Sequence, residues 1–586
     1  MGGYVPPHLR GGDRGGERGG GRRGGPTTRT TTTRHHHHPD AGVAPSAAVA
    51  DALRTKDATE KRLSKDGAAY AATACDAFER VARVLEEDVA RADADADADR
   101  EISGHRKKRA RDARLALAET LRASASARAL ASRRGALSPE LRRAESEAAV
   151  IAAAAYERST ETFAQLCAAT ERDATDAATD DAKDARETMV VAVNGLACAL
   201  AAWGDLLAAD DPSGAEILAR ACAAYERALE LERDAGAAGG GTAGGGGGDP
   251  GEVLEACWNL ADARVKLGEA RAAIEDARDA SSNSTIDVLL RDETVARKRI
   301  DDVFASASAA FEDATSLADA AAGDDLGGLL HDWGCGLLSR ADSLAAGAMR
   351  VAKKVTDVGG ALPTLCVELA TAAHGVLAAA EEKLRTSASF TPGAIAVCNT
   401  LGETYQSRAE LIRHTGVLPG NAGGGVVVAG PTIRERRTHA EGPLLMALDA
   451  RGGGFGAAAA LSSSDRDALT GAGEAHLELG RIAKACGDDG AAAARFADAW
   501  GCYRRVLEMA AADGGGGGGG DEGVKSSERL GVCYNGACAA YLAGDVHTAG
   551  MLLSQVLACG GTTPEGISSD EDLAGMPAAA WGGSSY

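Results

Sequence analysis

The chain has 586 residues, 45% hydrophobic but only 4% aromatic, with a net charge of −22. Its length allows several domains or one long array whose core grows by repetition. Because the negative charge is spread along the chain, the body is not a general nucleic-acid binder, and thirteen scattered cysteines without a C-x-x-C pattern read as reduced, apolar thiols rather than a disulfide or zinc framework.

Residues 1–40 are mostly Gly, Arg, Thr and Pro, ending near the run His35–His38. They carry too little apolar surface to offset the entropy of ordering, which predicts a disordered, Arg/Gly-rich N-terminal tail. Tyr4-Val-Pro-Pro-His-Leu9-Arg10 sets an aromatic and an aliphatic side chain five positions apart, a spacing that can anchor a short segment in an apolar groove. Arg10, Arg14, Arg18 and the pair Arg22-Arg23 each precede Gly-Gly, offering guanidinium groups on a flexible backbone for phosphate contact and base stacking. Seven arginines against two acids give residues 1–38 a local charge of +5. An RNA contact and a spacer that folds back onto the acidic body both remain open. No physiological metal site is expected at the His run.

Residues 45–180 read as an N-terminal helical region. Ala68–Glu87 is amphipathic, with Ala74, Phe78, Val81 and Leu85 on one face. The Ala92–Asp99 alternation reads as a frayed helix or linker, and helices resume over Arg106–Arg133 and Pro139–Ala169. From 188 to 415 helices pair regularly. Val191–Leu207 and Ala215–Arg233 flank a turn at Asp211–Gly214, and Val253–Lys266 and Ala270–Ala280 are hinged at Gly268. Asp302–Ala318, Leu329–Ala346, Leu365–Leu384 and Ala394–His414 follow. Residues 416–464 read as a Gly-rich irregular linker holding the short strand-like run Val426–Val428. Helix pairs return over 465–558, interrupted by Gly514–Gly520, and 559–586 reads as a short polar tail.

Several of these pairs share a pattern. Leu401-Gly402-x-x-Tyr405 marks one first helix, and Leu479-Gly480 with Ala483 repeats it. Ala221/Tyr225/Ala228, Ala307/Phe311/Ala314 and Ala499/Tyr503/Val506 mark second helices. In Cys533–Leu557, small Gly536, Ala537 and Ala540 precede the break at Gly544, and Ala549, Leu553, Val556 and Leu557 follow. Small residues allow close helix approach, and the aromatic fills the gap against the next pair. Over about 190–560 this resembles tetratricopeptide repeats, although the family's early Trp is replaced and its closing Pro is mostly absent. The resemblance implies an all-α, tetratricopeptide-like α-solenoid of helix hairpins. It also implies a non-enzymatic scaffold with a protein partner in a superhelical groove, for which Trp258, Tyr405, Tyr534 and Tyr541 are the candidate lining residues. One subclass grips chaperone C-terminal carboxylates with a Lys and an Asn one turn apart. The matching pairs here are Trp258/Asp262, Asn399/Glu403, Leu477/Arg481 and Tyr534/Cys538, none of which supplies that clamp.

The Tyr4–Arg10 segment is similar to one near the N-terminus of DEAD-box RNA helicases. There it overlaps a Tyr-x4-Leu motif associated with the cap-binding translation factor, which implies Tyr4 and Leu9 as contacts; Arg10 stands where the fuller motif prefers an apolar residue. No helicase core follows.

Catalytic, cofactor and metal residues are not expected. The Gly tracts lack the Gly-Lys-Ser/Thr ending of a phosphate loop, no His/Cys spacing suggests zinc, and no carboxylate pair stands out. No run approaches eighteen consecutive apolar residues, so no membrane span is expected, and the N-terminus lacks a secretory core. The location reads as cytoplasmic, with nuclear import through Arg106–Arg111 and organelle import as open alternatives. Beside the adaptor stand two other functional readings: an RNA-binding regulator acting through the tail, and an organellar assembly factor.

Overall fold

The computed structural model describes residues 47–66, 68–98, 104–132, 139–176, 179–208, 211–238, 250–280, 286–321, 326–356, 362–419, 427–428, 432–514 and 526–582. The expectations for Tyr4, Leu9, Arg10, Arg14, Arg18, Arg22 and Arg23, including RNA and cap-factor contact, lie outside the described residues. Two compact units divide at Ala270/Arg271.

The first unit holds α1 (Ala47–Asp66), α2 (Ala68–Ala98), α3 (Gly104–Ser132), α4 (Pro139–Asp176), α5 (Thr179–Leu207), α6 (Ser213–Ala238) and the start of α7 (Pro250–Ala280). From α1 to α6 each helix packs on the next. Glycine and aromatic interlock as the sequence suggests: a Cβ on Gly195 of α5 would lie 2.4 Å from the Phe163 ring of α4. Tyr225 of α6 is buried, and its hydroxyl donates to Cys198 Sγ at 3.3 Å. Asp211 accepts the Ser213 amide at 2.8 Å and turns the chain into α6.

Two expectations change here. The Ala/Asp alternation does not fray but continues α2 to Ala98, since Ala at every second position favours helix and Asp does not forbid it. The hinge at Gly268 is absent. α7 runs through it, because a single helical Gly costs only about 1 kcal/mol and the flanking Leu267 and Ala270 are buried. By length and composition, Ala185–Leu207 is the one candidate membrane span among the described residues. Part of its apolar surface is engaged in the unit: Met189 and Val193 pack with Ala228 of α6, and Ala199 packs with Phe163 of α4.

The second unit takes the rest of α7, then α8 (Ile286–Ala321), α9 (Leu326–Thr356), α10 (Thr364–Phe390) and α11 (Ile395–Thr415). After β1 (Val417–Leu418) and β2 (Val427–Val428) come α12 (Ile433–Leu448), α13 (Phe455–Leu461), α14 (Arg466–Cys486) and α15 (Asp489–Gly514). α16 (Ser526–Leu542), α17 (Val546–Ala558) and α18 (Pro564–Ser568) follow, then 3-10 turns at Glu571–Leu573 and Ala578–Trp581. α9/α10, α11/α12, α14/α15 and α16/α17 are hairpins. Their first helices also touch in succession, α9 on α11, α11 on α14 and α14 on α16. The fold is all-α, built of nested helix hairpins, as the sequence pattern implies.

The described residues within 416–464 form regular elements rather than an irregular linker. β1 and β2 pair antiparallel, Val417 with Val428 and Leu418 with Val427. A capping box between Thr432 and Glu435 opens α12, which continues through Pro443. Ala440 and Leu444 join Ala409 and Ile412 of α11 in one apolar cluster, so α12 completes the α11 hairpin. Its apolar spacing is masked in sequence by the basic residues Arg434, Arg436 and Arg437, and tertiary packing holds the helix. Phe455 of α13 wedges between two glycines: a Cβ on Gly402 or Gly471 would lie 2.7 or 2.3 Å from its ring.

The segment after Gly560 is not a loose tail either. Ile567, Leu573 and Trp581 are buried against Ala537, Ala540, Ala549 and Leu553 of the last hairpin. Burying three such side chains stabilises the docked segment by about 5 kcal/mol or more before ordering costs.

Candidate functional site

The stacked first helices of the second unit carry polar side chains where a packed face ordinarily presents apolar ones. On α11, Gln406, Glu410 and Arg413 recur at steps of four and three, which places them on one helix face; Glu474, Glu478 and Arg481 do the same on α14. The two faces meet. Gln406 Nε2 donates to Glu474 Oε2 at 2.9 Å, and Asn535 of α16 reaches the other oxygen at 3.5 Å. Arg413 donates to Glu478 at 2.5 Å, and Arg481 takes the remaining Glu478 oxygen. Arg481 also grips Asp572 of the C-terminal segment, its Nε lying 3.2 and 3.0 Å from the two carboxylate oxygens. Tyr534 donates to Asp570 Oδ2 at 2.6 Å, and Tyr541 donates to the Ala574 carbonyl at 3.2 Å. A continuous polar seam therefore runs from α11 through α14 and α16 to the C-terminal segment.

Its charges are not evenly compensated. At Glu478 burial opposes ionisation, but the guanidinium groups of Arg413 and Arg481 outweigh it and bring the carboxyl down to about 2. At Glu410 burial dominates; Arg413 opposes it while Asp342, Glu478 and Glu474 reinforce it, and the carboxyl is pushed up to about 7. Glu410 is 8% exposed and its Oε1 makes no hydrogen bond.

Cys538, Asp570 and Asp572 bring three donor atoms within 4.8 Å of one another. The set suits a metal poorly. Arg481 already supplies the positive charge at Asp572, and burial together with the two aspartates holds the Cys538 thiol well above its ordinary range, protonated and a weak ligand.

The four groove candidates do not form one set. Trp258 is half-buried on α7 in the first unit, whereas the other three belong to the second. Tyr405 is a core residue instead of a surface one, 1% exposed. Its ring is buried with Leu384, Leu401 and Phe455, and its hydroxyl accepts from Arg385 at 2.9 Å and donates to Glu381 at 3.1 Å, both on α10. Tyr534 and Tyr541 do lie on the last hairpin, but both hydroxyls are engaged by the chain's own C-terminal segment. Among the clamp positions, Asn399 donates to Asp465, the N-cap of α14, at 3.0 Å, and only Arg481 grips a carboxylate in the groove manner, an internal one. Sequence reasoning missed Glu410, Glu474, Glu478, Asp570 and Asp572. The four-and-three recurrence on two first helices was the available signal.

No protein-family model and no curated protein matches this chain. Among solved structures it is similar to a circular tandem repeat protein with novel repeat topology, at 13% identity over 90% of this chain and 96% of that one, with a TM-score of 0.27. Two others are the APC/C hetero-tetramer Cut9-Hcn1 (11% identity, 90% and 94% covered, TM-score 0.18) and Naa15/Naa10 bound to HypK-THB (12%, 88% and 95%, 0.15). The fold assignment stands on this chain's own hairpins.

Proposed function

We propose that the chain is a non-enzymatic protein-interaction scaffold whose protein partner lies along the layer of first helices α9, α11, α14 and α16. One observation carries the reading. Adjacent first helices bury charged side chains, with Glu410 short of a hydrogen bond, where apolar residues would pack at lower cost. Desolvating each ion costs several kcal/mol, which folding alone does not require. Buried between the helices, these groups fix how the first helices sit side by side, and a repeated face held in one arrangement suits recognition of a protein partner.

The test is capture with the full-length chain, with and without ribonuclease, comparing the natural sequence with the double variant Glu403→Lys/Asn535→Lys on α11 and α16. The scaffold reading expects protein partners that persist after ribonuclease and are lost in the variant. Partners retained equally by the variant would sink it.

A second reading, an RNA contact through the Arg-Gly-Gly segment, is favoured by the +5 charge of residues 1–38. Removing residues 1–40 should abolish RNA recovery and leave protein capture unchanged.

A further inference from the structure

His331 and Cys335 stand one turn apart on α9, at its seam with α11. Cys335 Sγ lies 3.6 Å from His331 Nε2 and 3.9 Å from Thr400 Oγ1 of α11. The same Nε2 is 3.3 Å from Thr400 Oγ1. Thr400 donates its own proton to the Ala396 carbonyl at 3.0 Å, so its oxygen faces the imidazole as an acceptor. The Nε2–H is then shared between that oxygen and the sulfur. On the other side of the ring, Nδ1 lies 3.3 Å from Asp332 Oδ1, whose side chain is 41% exposed; this partner fixes the ring's orientation. Of the charged groups nearby, Asp332 belongs to α9 itself, and α10 brings Lys383 to 4.1 Å over the ring of neighbouring Trp333.

Burial works against a charged His331 ring, but the pull of Cys335 and then of Asp332 outweighs it and holds the imidazole protonated up to about 10. Geometry supplies the matching neighbour for the sulfur: an imidazole nitrogen 3.6 Å from Cys335 Sγ is the kind of partner that activates a cysteine. Other cysteines differ. Burial pushes the thiols of Cys198, Cys366 and Cys538 up, while Cys335 is only partly buried.

We propose that Cys335 is a covalent modification site, a thiolate paired with the His331 imidazolium that small hydroperoxides oxidise to sulfenic acid. The sulfur attacks a peroxide oxygen, so that an S–O bond forms as the O–O bond breaks. The departing hydroxide takes the proton of the imidazolium, leaving neutral His331 and water. The thiolate is oxidised by two electrons and the peroxide is reduced by two. The added oxygen sits between two first helices, where it alters their packing.

The probe is a brief pulse of iodoacetamide on the native full-length chain, with peptide mass spectrometry following each of the thirteen cysteines. Cys335 should alkylate at least about tenfold faster than Cys366 and Cys538, and its rate should stay nearly flat from about pH 6 to about pH 8.5. An ordinary thiol slows about tenfold per pH unit below its pKa. His331→Gln should lower the Cys335 rate about tenfold without changing the other sites. Dilute hydrogen peroxide should give a dimedone-trapped sulfenic acid at Cys335. A Cys335 rate that falls tenfold per pH unit in the natural chain overturns the proposal even where the His331 variant does not fold, and so does failure to trap a sulfenic acid. None of these outcomes bears on partner capture, so the scaffold reading stands or falls separately.

Discussion

Gly480 of α14 lies directly against the ring of Phe496 of α15, and a Cβ added to Gly480 would come within 2.4 Å of that ring. The hairpin closes at this distance only because one partner has no side chain, which is the physical content of the Leu479-Gly480 pattern. Gly480→Ala should destabilise the chain by about 1–3 kcal/mol, as overpacking does. At Gly501 of α15 an added Cβ would meet nothing within 4 Å, so Gly501→Ala should stabilise by about 0.5–1 kcal/mol. Urea unfolding of the two variants checks both signs, and a Gly480→Ala chain as stable as the parent would contradict the close-approach argument.

Glu410 predicts a pH dependence. Its folded-state pKa, about 7, lies above the ordinary value of 4.5, so between those limits the folded chain holds a proton that the unfolded chain has lost. Stability from this group is full below about pH 4.5 and is lost as pH rises through about 7, by at most about 3 kcal/mol. Glu478 runs the other way: with its pKa depressed to about 2, its contribution is full above 4.5 and is lost as pH falls toward 2. Glu410→Gln should flatten the decline between about pH 5 and about pH 8, read as the change in urea midpoint. An unchanged decline would mean that Glu410 is ionised in the folded state.

Arg481 and Asp572, ninety-one positions apart, tie the C-terminal segment to α14. Arg481→Ala should cost about 3–5 kcal/mol because Glu478 and Asp572 are left under-compensated. Adding Asp572→Asn should cost less than the sum of the two single changes, since the second removes a charge the first has stranded. Hydrogen exchange over 564–581 should speed up in either single variant. Exchange that stays as slow as in the parent would show that Ile567, Leu573 and Trp581 hold the segment without the ion pair.

Arg297 of α8 is 2% exposed and donates to Asp276 of α7 at 2.6 Å, Glu293 at 2.7 Å and Ser343 of α9 at 2.8 Å. Arg350 of α9 reaches the same two carboxylates, each at 2.6 Å. Arg297→Met should therefore cost less than the loss of an isolated buried cation, about 2–3 kcal/mol, while Arg297→Met/Arg350→Met should cost more than twice as much. Thermal unfolding of the two variants tests the sharing.

Helix-forming segments with small and aromatic residues at one-turn spacing were legible because those interactions are local. Gly480, Phe311 and Tyr503 sit in the packing their neighbours imply. Phe311, for instance, stacks on Trp333 at 6.2 Å between ring centroids. α12 and the C-terminal segment were not legible. Both are short or compositionally masked, and their few apolar residues gain a core only by packing on neighbouring helices. The seam was partly legible: its periodicity is in the chain, but which faces meet is not.

The sequence alone determined that the body of this protein is built of helices that fold back on their neighbours, because alanine-rich stretches broken by Gly and Pro leave the backbone few other satisfied states. Only the tertiary structure decided that Glu410 would be short of compensating charge, that Tyr405 would be core, and that residues 564–581 would close the last hairpin. Those outcomes depend on which side chains share a desolvated space, a property of faces brought together over tens of residues and not of any local spacing.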